Sequence, residues 1–327
     1  MKNWKKAIAL VASAAALVSV AACGPSNAGG SSDSGKKTVG FVAVGPEGGF
    51  RTANEKDIQK AFEDAGFDLT YSPTQNNDQQ KQIQAFNKFV NDEVDAIILS
   101  STEDSGWDAS LKKAAEAEIP VFTVDRNVDV KDAEAKKAIV AHIGPSNVWC
   151  GEQAAEFVNK NFPDGANGFI LEGPAGLSVV KDRGTGWGNK VASNVKVLES
   201  QSANWSTDEA KTVTAGLLDK YKSDNPQFIF AQNDEMGLGA AQAVDAAGLK
   251  GKVKIITIDG TKNALQALVD GDLSYVIEYN PIFGKETAQA VKDYLDGKTV
   301  EKDIEIESKT FDAASAKEAL DNNTRAY

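Results

Sequence analysis

Asp125 and Arg126 stand directly after an apolar run, Val121 to Val124, that reads as the end of a buried strand. Neither charge belongs in a core without a partner, so a polar edge is expected where that strand stops. The same pattern recurs along the chain. "PEGGFR" follows "TVGFVAV" and brings Glu47, Phe50 and Arg51, and "STED" follows "DAIILS" and brings Asp104, with Trp107 soon after. "QNDE" follows "FIFA" and brings Asn233, and Asp259 ends "KIITID". Arg183 in "KDRGTGW", Trp205 after "SAN" and Glu278 inside the apolar "YVIEYN" complete the set.

A carboxylate accepts hydroxyl protons, a guanidinium donates a planar fork of N–H groups, and an amide does both. Aromatic faces cover apolar C–H surface. Gathered in one cleft, these groups suit a neutral polyol, each hydrogen bond to a charged group contributing about 1.5–3 kcal/mol against about 0.5–1.5 for a neutral one. Two carboxylates about 5–10 Å apart would also serve a glycosidase, but nothing in the sequence marks a raised-pKa acid. No Gly-Lys phosphate loop is present. With His142 the only histidine and no Asp-x-Asp-x-Asp loop, neither metal nor cofactor is expected.

Each residue also has a plainer reading. Asp125–Arg126 as a surface ion pair, Arg183 as a helix-surface charge and Arg51 as a brace of the first helix are three of them. Asn233 and Asp104 suit helix caps, and Asp259 suits an Asp-Gly turn. Trp107 and Trp205 suit packing.

These residues need a frame. From Thr38 onward, near-continuous apolar strands alternate with amphipathic helices, such as "QIQAFNKFV" with Ile83, Phe86, Phe89 and Val90 on one face, or "RTANEKDIQKAFEDAG" with Ile58, Phe62 and Ala65. The pattern restarts at "KAIVAHIG", with helices expected near 147–161, 181–193, 206–222, 233–247 and 261–269. Such an order implies parallel sheets covered on both faces. The fold class is therefore α/β, with two doubly wound parallel-sheet lobes. The first is expected over 37–140 plus 279–308, and the second over 141–278 plus 309–327. Ligands bind outside the carboxyl ends of strands in such sheets, which is where the unusual residues fall.

Ahead of the fold, "MKNWKK" and the small apolar run up to Ala22 read as an export signal over 1–22, too short for a comfortable membrane span. The run ends in "VAAC", which resembles the lipobox of bacterial lipoproteins and implies lipidation of Cys23. The plainer reading is an ordinary signal peptide. Residues 23–36, rich in Gly, Ser and Asn, make a flexible tether. Cys150 is expected to be a buried apolar residue. The chain of 327 residues carries a formal charge of −12, which disfavours nucleic acid.

Six segments in order, "VGFVAVGPEGGFRTAN", "DAIILSSTEDSGW", "IPVFTVDRNV", "KDRGTGW", "AQNDEMGLGA" and "ITIDGTKNAL", resemble the type I periplasmic binding proteins. These are the sugar-binding components of ABC importers. The likeness spans about residues 37–310 and points to the galactofuranose- and fructose-binding branch, whose first loop carries a similar aromatic-Arg-Thr-Ala-Asn run. The resemblance implies a three-crossing hinge and two lobes that close on a monosaccharide, with delivery to a membrane permease and its ATPase. It implies a monomer without covalent chemistry, lipid-anchored on the extracytoplasmic side. Asp125, Asp259, Glu47, Asp104 and the less typical Glu278 would then face the ligand, with Arg126, Arg183, Arg51 and Asn233 beside them and Phe50, Trp107 and Trp205 as aromatic walls. A sugar sensor presenting its ligand to a membrane signalling protein is the alternative. A transcriptional regulator of the same fold is disfavoured by the export signal and by the missing DNA-binding helices.

Overall fold

Runs such as "AIIL", "VFTV" and "FIFA" are buried along their whole length, as strands must be when helices cover both faces of a sheet. The computed structural model describes residues 35–75, 77–324 and 327. The expected signal segment, Cys23 and nearly all of the tether lie outside them. The first half runs β1 (Thr38–Ala43), α1 (Gly49–Asp64), β2 (Asp68–Pro73), α2 (Gln79–Asn91), β3 (Ala96–Leu99), α3 (Asp108–Glu116), β4 (Val121–Val124), α4 (Ala133–Lys136) and β5 (Ile139–Pro145). It is followed by α5 (Asn147–Asn161), β6 (Ala166–Glu172), α6 (Ser178–Lys190), β7 (Val195–Ser202), α7 (Thr207–Lys220), β8 (Phe228–Ala231), α8 (Asp234–Ala246), β9 (Lys254–Asp259) and α9 (Lys262–Val269). The chain ends with β10 (Tyr275–Glu278), α10 (Gly284–Leu295), β11 (Asp303–Ile306), β12 (Thr310–Phe311) and α11 (Ala313–Asp321).

The strands form two six-stranded sheets, ordered β11-β5-β4-β3-β1-β2 and β12-β10-β9-β8-β6-β7. All neighbours are parallel except β12, which runs antiparallel to β10. The fold is bilobed. The chain passes from one sheet to the other after Pro145, after Glu278 and between Ile306 and Thr310. The boundary expected at 140 falls inside β5. That strand continues to Pro145 because His142, Ile143, Gly144 and Pro145 pair in register with Asp303 to Ile306.

Local chemistry accounts for most helix starts. Asp78, Ser146, Ser206 and Thr261 accept backbone N–H groups as N-caps of α2, α5, α7 and α9. The N-caps of α1 and α6, Gly48 and Leu177, offer no side-chain acceptor. Helix α1 buries Ile58 and Phe62 as expected, but Ala65 is its exposed C-cap. Toward its start the buried residues turn polar, with Arg51, Asn54 and Glu55, because that end meets the cleft. Helix α6 begins at Ser178, three residues before its expected start, since Gly184, Gly186 and Gly188 blur its apolar period. Cys150 is buried in α5, and burial pushes its thiol up to about 12. The His142 ring lies 3.0 Å from the Thr123 hydroxyl, and burial lowers its pKa. Among the described residues no helix is long and apolar enough to cross a membrane.

Helices α5 and α6 touch through glycine. A Cβ on Gly151 would lie 2.0 Å from the Arg183 carbonyl oxygen, and one on Gly186 would lie 1.9 Å from that of Val148. Overpacking of this kind costs about 1–3 kcal/mol. Gly186→Ala is therefore expected to lower the urea midpoint of unfolding by that equivalent at an unchanged slope. An unaltered midpoint would mean that the two helices can part without loss.

Candidate functional site

The carboxyl ends of β1, β3, β4, β8 and β9 converge on a cleft between the two sheets. It holds about 420 Å³ of unfilled space, part of it open to solvent, and is lined by Glu47, Phe50, Arg51, Asp125, Arg126, Arg183, Trp205, Asn233 and Asp259. These are nine of the residues singled out from sequence. Gly48, Val179, Glu235 and Tyr279 also line it and were not.

On the first-sheet side the charges are interlocked. One terminal nitrogen of Arg51 donates to Asp125 and the other to the Ser100 hydroxyl at 2.9 Å. Arg126 donates to Glu47 and to the carbonyl oxygens of Ser101 (3.2 Å) and Thr102 (3.5 Å). Burial pushes the Asp125 carboxyl upward, but the two guanidiniums outweigh it and hold the group below the usual range. Burial likewise opposes charge on Arg51, and Asp125, Glu47 and Glu55 more than offset it. The charges at the end of β4 are thus paired within the cleft.

On the second-sheet side Arg183 Nε donates to Asn147 at 2.9 Å, and a terminal nitrogen donates to the Gln232 carbonyl. Its guanidinium carbon lies 5.0 Å from the Tyr279 ring centre and 5.6 Å from that of Trp205, within cation–π range. Tyr279 and Phe50 continue the wall, their ring centres 5.0 Å apart. Asn233 caps α8 through the Met236 N–H at 2.9 Å, and its amide donates to Glu235 at 2.7 Å, so the capping and cleft readings coexist. Asp234 does not line the cleft. It accepts from the Thr257 hydroxyl and from the Gly260 and Thr261 N–H groups, pinning the loop that follows Asp259. Burial, reinforced by Asp234, pushes Asp259 well above the carboxylate range, with Arg183 opposing.

Two further observations set this place apart. Asp125 (φ 63°), Asp259 (φ 127°) and Trp205 (φ 61°) all hold positive φ, which costs a non-glycine residue about 1–3 kcal/mol and clusters at functional sites. In addition, the buried Nε groups of Arg51 and Arg126 and the Trp205 indole N–H have no protein acceptor within hydrogen-bond reach.

Three expected site residues lie elsewhere. Trp107 is fully buried beside Phe86, and its indole N–H donates to the Glu103 carbonyl at 2.8 Å, so it belongs to the core under α3. Glu278 accepts the Lys309 N–H at 3.0 Å and braces one crossing against another. The cleft position is its neighbour Tyr279, because strand alternation sends consecutive side chains to opposite faces. An aromatic just past a strand end was the available signal. Asp104 sits outside the lining, where it accepts the Ser178 hydroxyl at 3.3 Å. Burial raises it to about 6 against the pull of Ser178 and Arg126, with Asp182 adding to the rise. Among the described residues no group of His, Cys, Asp and Glu could hold a metal ion.

Residues 39–299 match the periplasmic binding protein domain. The sequence is 99% identical over 327 residues, the whole of both chains, to the fructose import binding protein FruE of Bifidobacterium longum (strain NCC 2705). It is 32% identical over 325 residues to the galactofuranose-binding protein YtfQ of Escherichia coli (strain K12), covering 97% of this chain and 98% of that one. A crystal structure from Mycobacterium smegmatis in complex with β-D-fucofuranose superposes with a TM-score of 0.82 at 35% identity, over 88% of this chain and 95% of that one. A match running from β1 past α10, joined to relatives aligned over nearly their full length, leads to one conclusion: this chain belongs to the periplasmic binding protein family and binds its ligand without catalysing a reaction.

Proposed function

We propose that the protein captures a monosaccharide, fructose first among candidates, between its lobes and delivers it to an ABC importer from the outer face of the membrane, where a lipid on Cys23 anchors it. The observation that carries this reading is the charge balance of the cleft. Four carboxylates, Glu47, Asp125, Glu235 and Asp259, face three guanidiniums, Arg51, Arg126 and Arg183. Burial and Asp234 raise Asp259 well above the usual carboxylate range, which favours its neutral form and brings the two sets close to balance. Such a cleft offers many directed donors and acceptors to a neutral ligand and little net field to an ion. Its volume is at the small end of ligand sites, and Phe50, Tyr279 and Trp205 supply faces for ring C–H groups. Fructose import by the Bifidobacterium relative supports the choice of sugar, and the sugars carried by the two other relatives share its hydroxyl-rich chemistry. In this reading Asp125, Glu47, Glu235 and Asn233 accept from hydroxyls and Asp259 donates, while Arg126, Arg183 and Arg51 donate to sugar oxygens. Asp104, Trp107 and Glu278 take no direct part.

Calorimetric titration with fructose, galactose, ribose, xylose and arabinose tests the reading; no heat with any of them would sink it. Arg126→Lys retains charge but not the planar fork, and its affinity is expected to fall about ten- to a hundredfold, the equivalent of one charge-assisted hydrogen bond. Glu278→Gln serves as the contrast, with affinity within about twofold of the parent.

The raised pKa of Asp259 also makes stability depend on pH. A carboxyl whose folded pKa is raised contributes stability that is fully present below the ordinary carboxylate value and lost as pH rises through the folded one. The ligand-free melting temperature should therefore decline as pH rises above the ordinary carboxylate range, and Asp259→Asn should make that decline shallower. An identical slope in the variant would show that Asp259 is ionised throughout.

The anchor rests on "VAAC" followed by a polar tether. Cys23→Ser is expected to abolish metabolic labelling by a fatty acid, and continued labelling would place the lipid elsewhere.

A further inference from the structure

Helices α1 and α6 begin at the cleft, and neither has a side-chain cap of its own. Each receives a carboxylate from the opposite lobe at its first residue. Glu235, which follows β8 in the second sheet, accepts the Gly49 N–H at the start of α1 at 3.0 Å. Asp104, which follows β3 in the first sheet, accepts the hydroxyl of Ser178, the first residue of α6, at 3.3 Å. The exchange is reciprocal: β1 and β6 hold equivalent places in their sheets, as do β3 and β8. Capping from another helix occurs elsewhere, since Asp57 of α1 accepts the Gly284 N–H of α10 at 2.6 Å, but both of those helices pack together on one lobe. Gly48 leaves room for the reach across the cleft, because a Cβ there would lie 2.8 Å from the Glu235 carboxylate.

We propose that Glu235 and Asp104 form a closure latch, Glu235 capping the first N–H of α1 and Asp104 setting its carboxylate against the first residue of α6, each from the opposite lobe. The first turn of a helix carries unpaired N–H groups and a partial positive charge. Both are answered only while the lobes are shut. Opening the cleft removes a carboxylate from the first turn of two helices at once. Asp104 lies outside the cavity lining and is a positioning residue, acting on how long the lobes stay closed. Glu235 combines that role with a place in the wall.

This inference builds on the sugar-capture reading, so its test has one arm with sugar and one without. Stopped-flow binding of fructose is followed in the chain from Lys36 onward, which contains every described element, and in its Asp104→Ala and Ser178→Ala variants. The expected result for Asp104→Ala is dissociation about two- to thirtyfold faster, the range of a lost N-cap. Association should be unchanged, because the latch engages after encounter. Ser178→Ala should show a smaller rise, and the double variant should be no faster than Asp104→Ala alone. A dissociation rate unchanged in Asp104→Ala, or full additivity in the double variant, overturns the latch. If fructose binds none of these proteins, the sugar reading fails and the second arm decides. Small-angle scattering of the sugar-free chain should give a larger radius of gyration for Asp104→Ala/Glu235→Ala than for the parent; superimposable profiles overturn the latch.

Discussion

A carboxylate buried between two guanidiniums governs the cleft. Removing an isolated charge from water costs several kcal/mol even after relaxation, so Asp125 can occupy its place only while Arg51 and Arg126 flank it. The pairing does more than neutralise charge. The Arg51 fork reaches Ser100 at the end of β3 and Asp125 at the end of β4 from a helix that follows β1. Arg126 ties the Glu47 loop to the carbonyls of Ser101 and Thr102. Three strand ends are thereby fixed by two side chains. Arg183 does the same for the other sheet, joining the Gln232 backbone to Asn147 while lying between two aromatic rings.

Pre-organisation of this kind limits what binding has to order. Side chains already held by salt bridges and carbonyls lose little freedom when a ligand arrives. The left-handed backbone at Asp125, Asp259 and Trp205 is sustained by the same surroundings. Strands on either side of β4 and β9 hold Asp125 and Asp259 in place.

The architecture was legible because parallel strands buried on both faces leave an unmistakable apolar imprint, as in "AIIL" and "FIFA". Most cleft residues were legible for the complementary reason: charge at the end of such a strand has to have a destination. Where this logic thinned, the reading slipped. Glu278 drew attention as a carboxylate in an apolar strand, yet pleating turns it toward Lys309 and presents Tyr279 instead. Trp107 follows a strand end too, but its ring fits between Phe86 and the Glu103 carbonyl. Glu235 was hidden behind Asn233 and Asp234, whose capping and loop-pinning roles give the same "QNDE" signature. The strand β5 itself was read to within a residue of its end, but the lobe boundary was set inside it, at 140, because its last residues are held by a strand far along the chain. No local pattern reports that.

That distant strand has a consequence for how the chain folds. β11 completes the first sheet against β5, with Lys302 donating to the Ile139 carbonyl across 163 positions of sequence. During synthesis the first sheet therefore keeps an open edge until almost the entire chain has emerged. Pairings so remote are slow to form, because the loop must close before the contact rewards it. Until then the exposed edge of β5 is a template for strands of other chains. Neither lobe exists as a contiguous stretch of sequence, so no single cut through the polypeptide releases one of them intact.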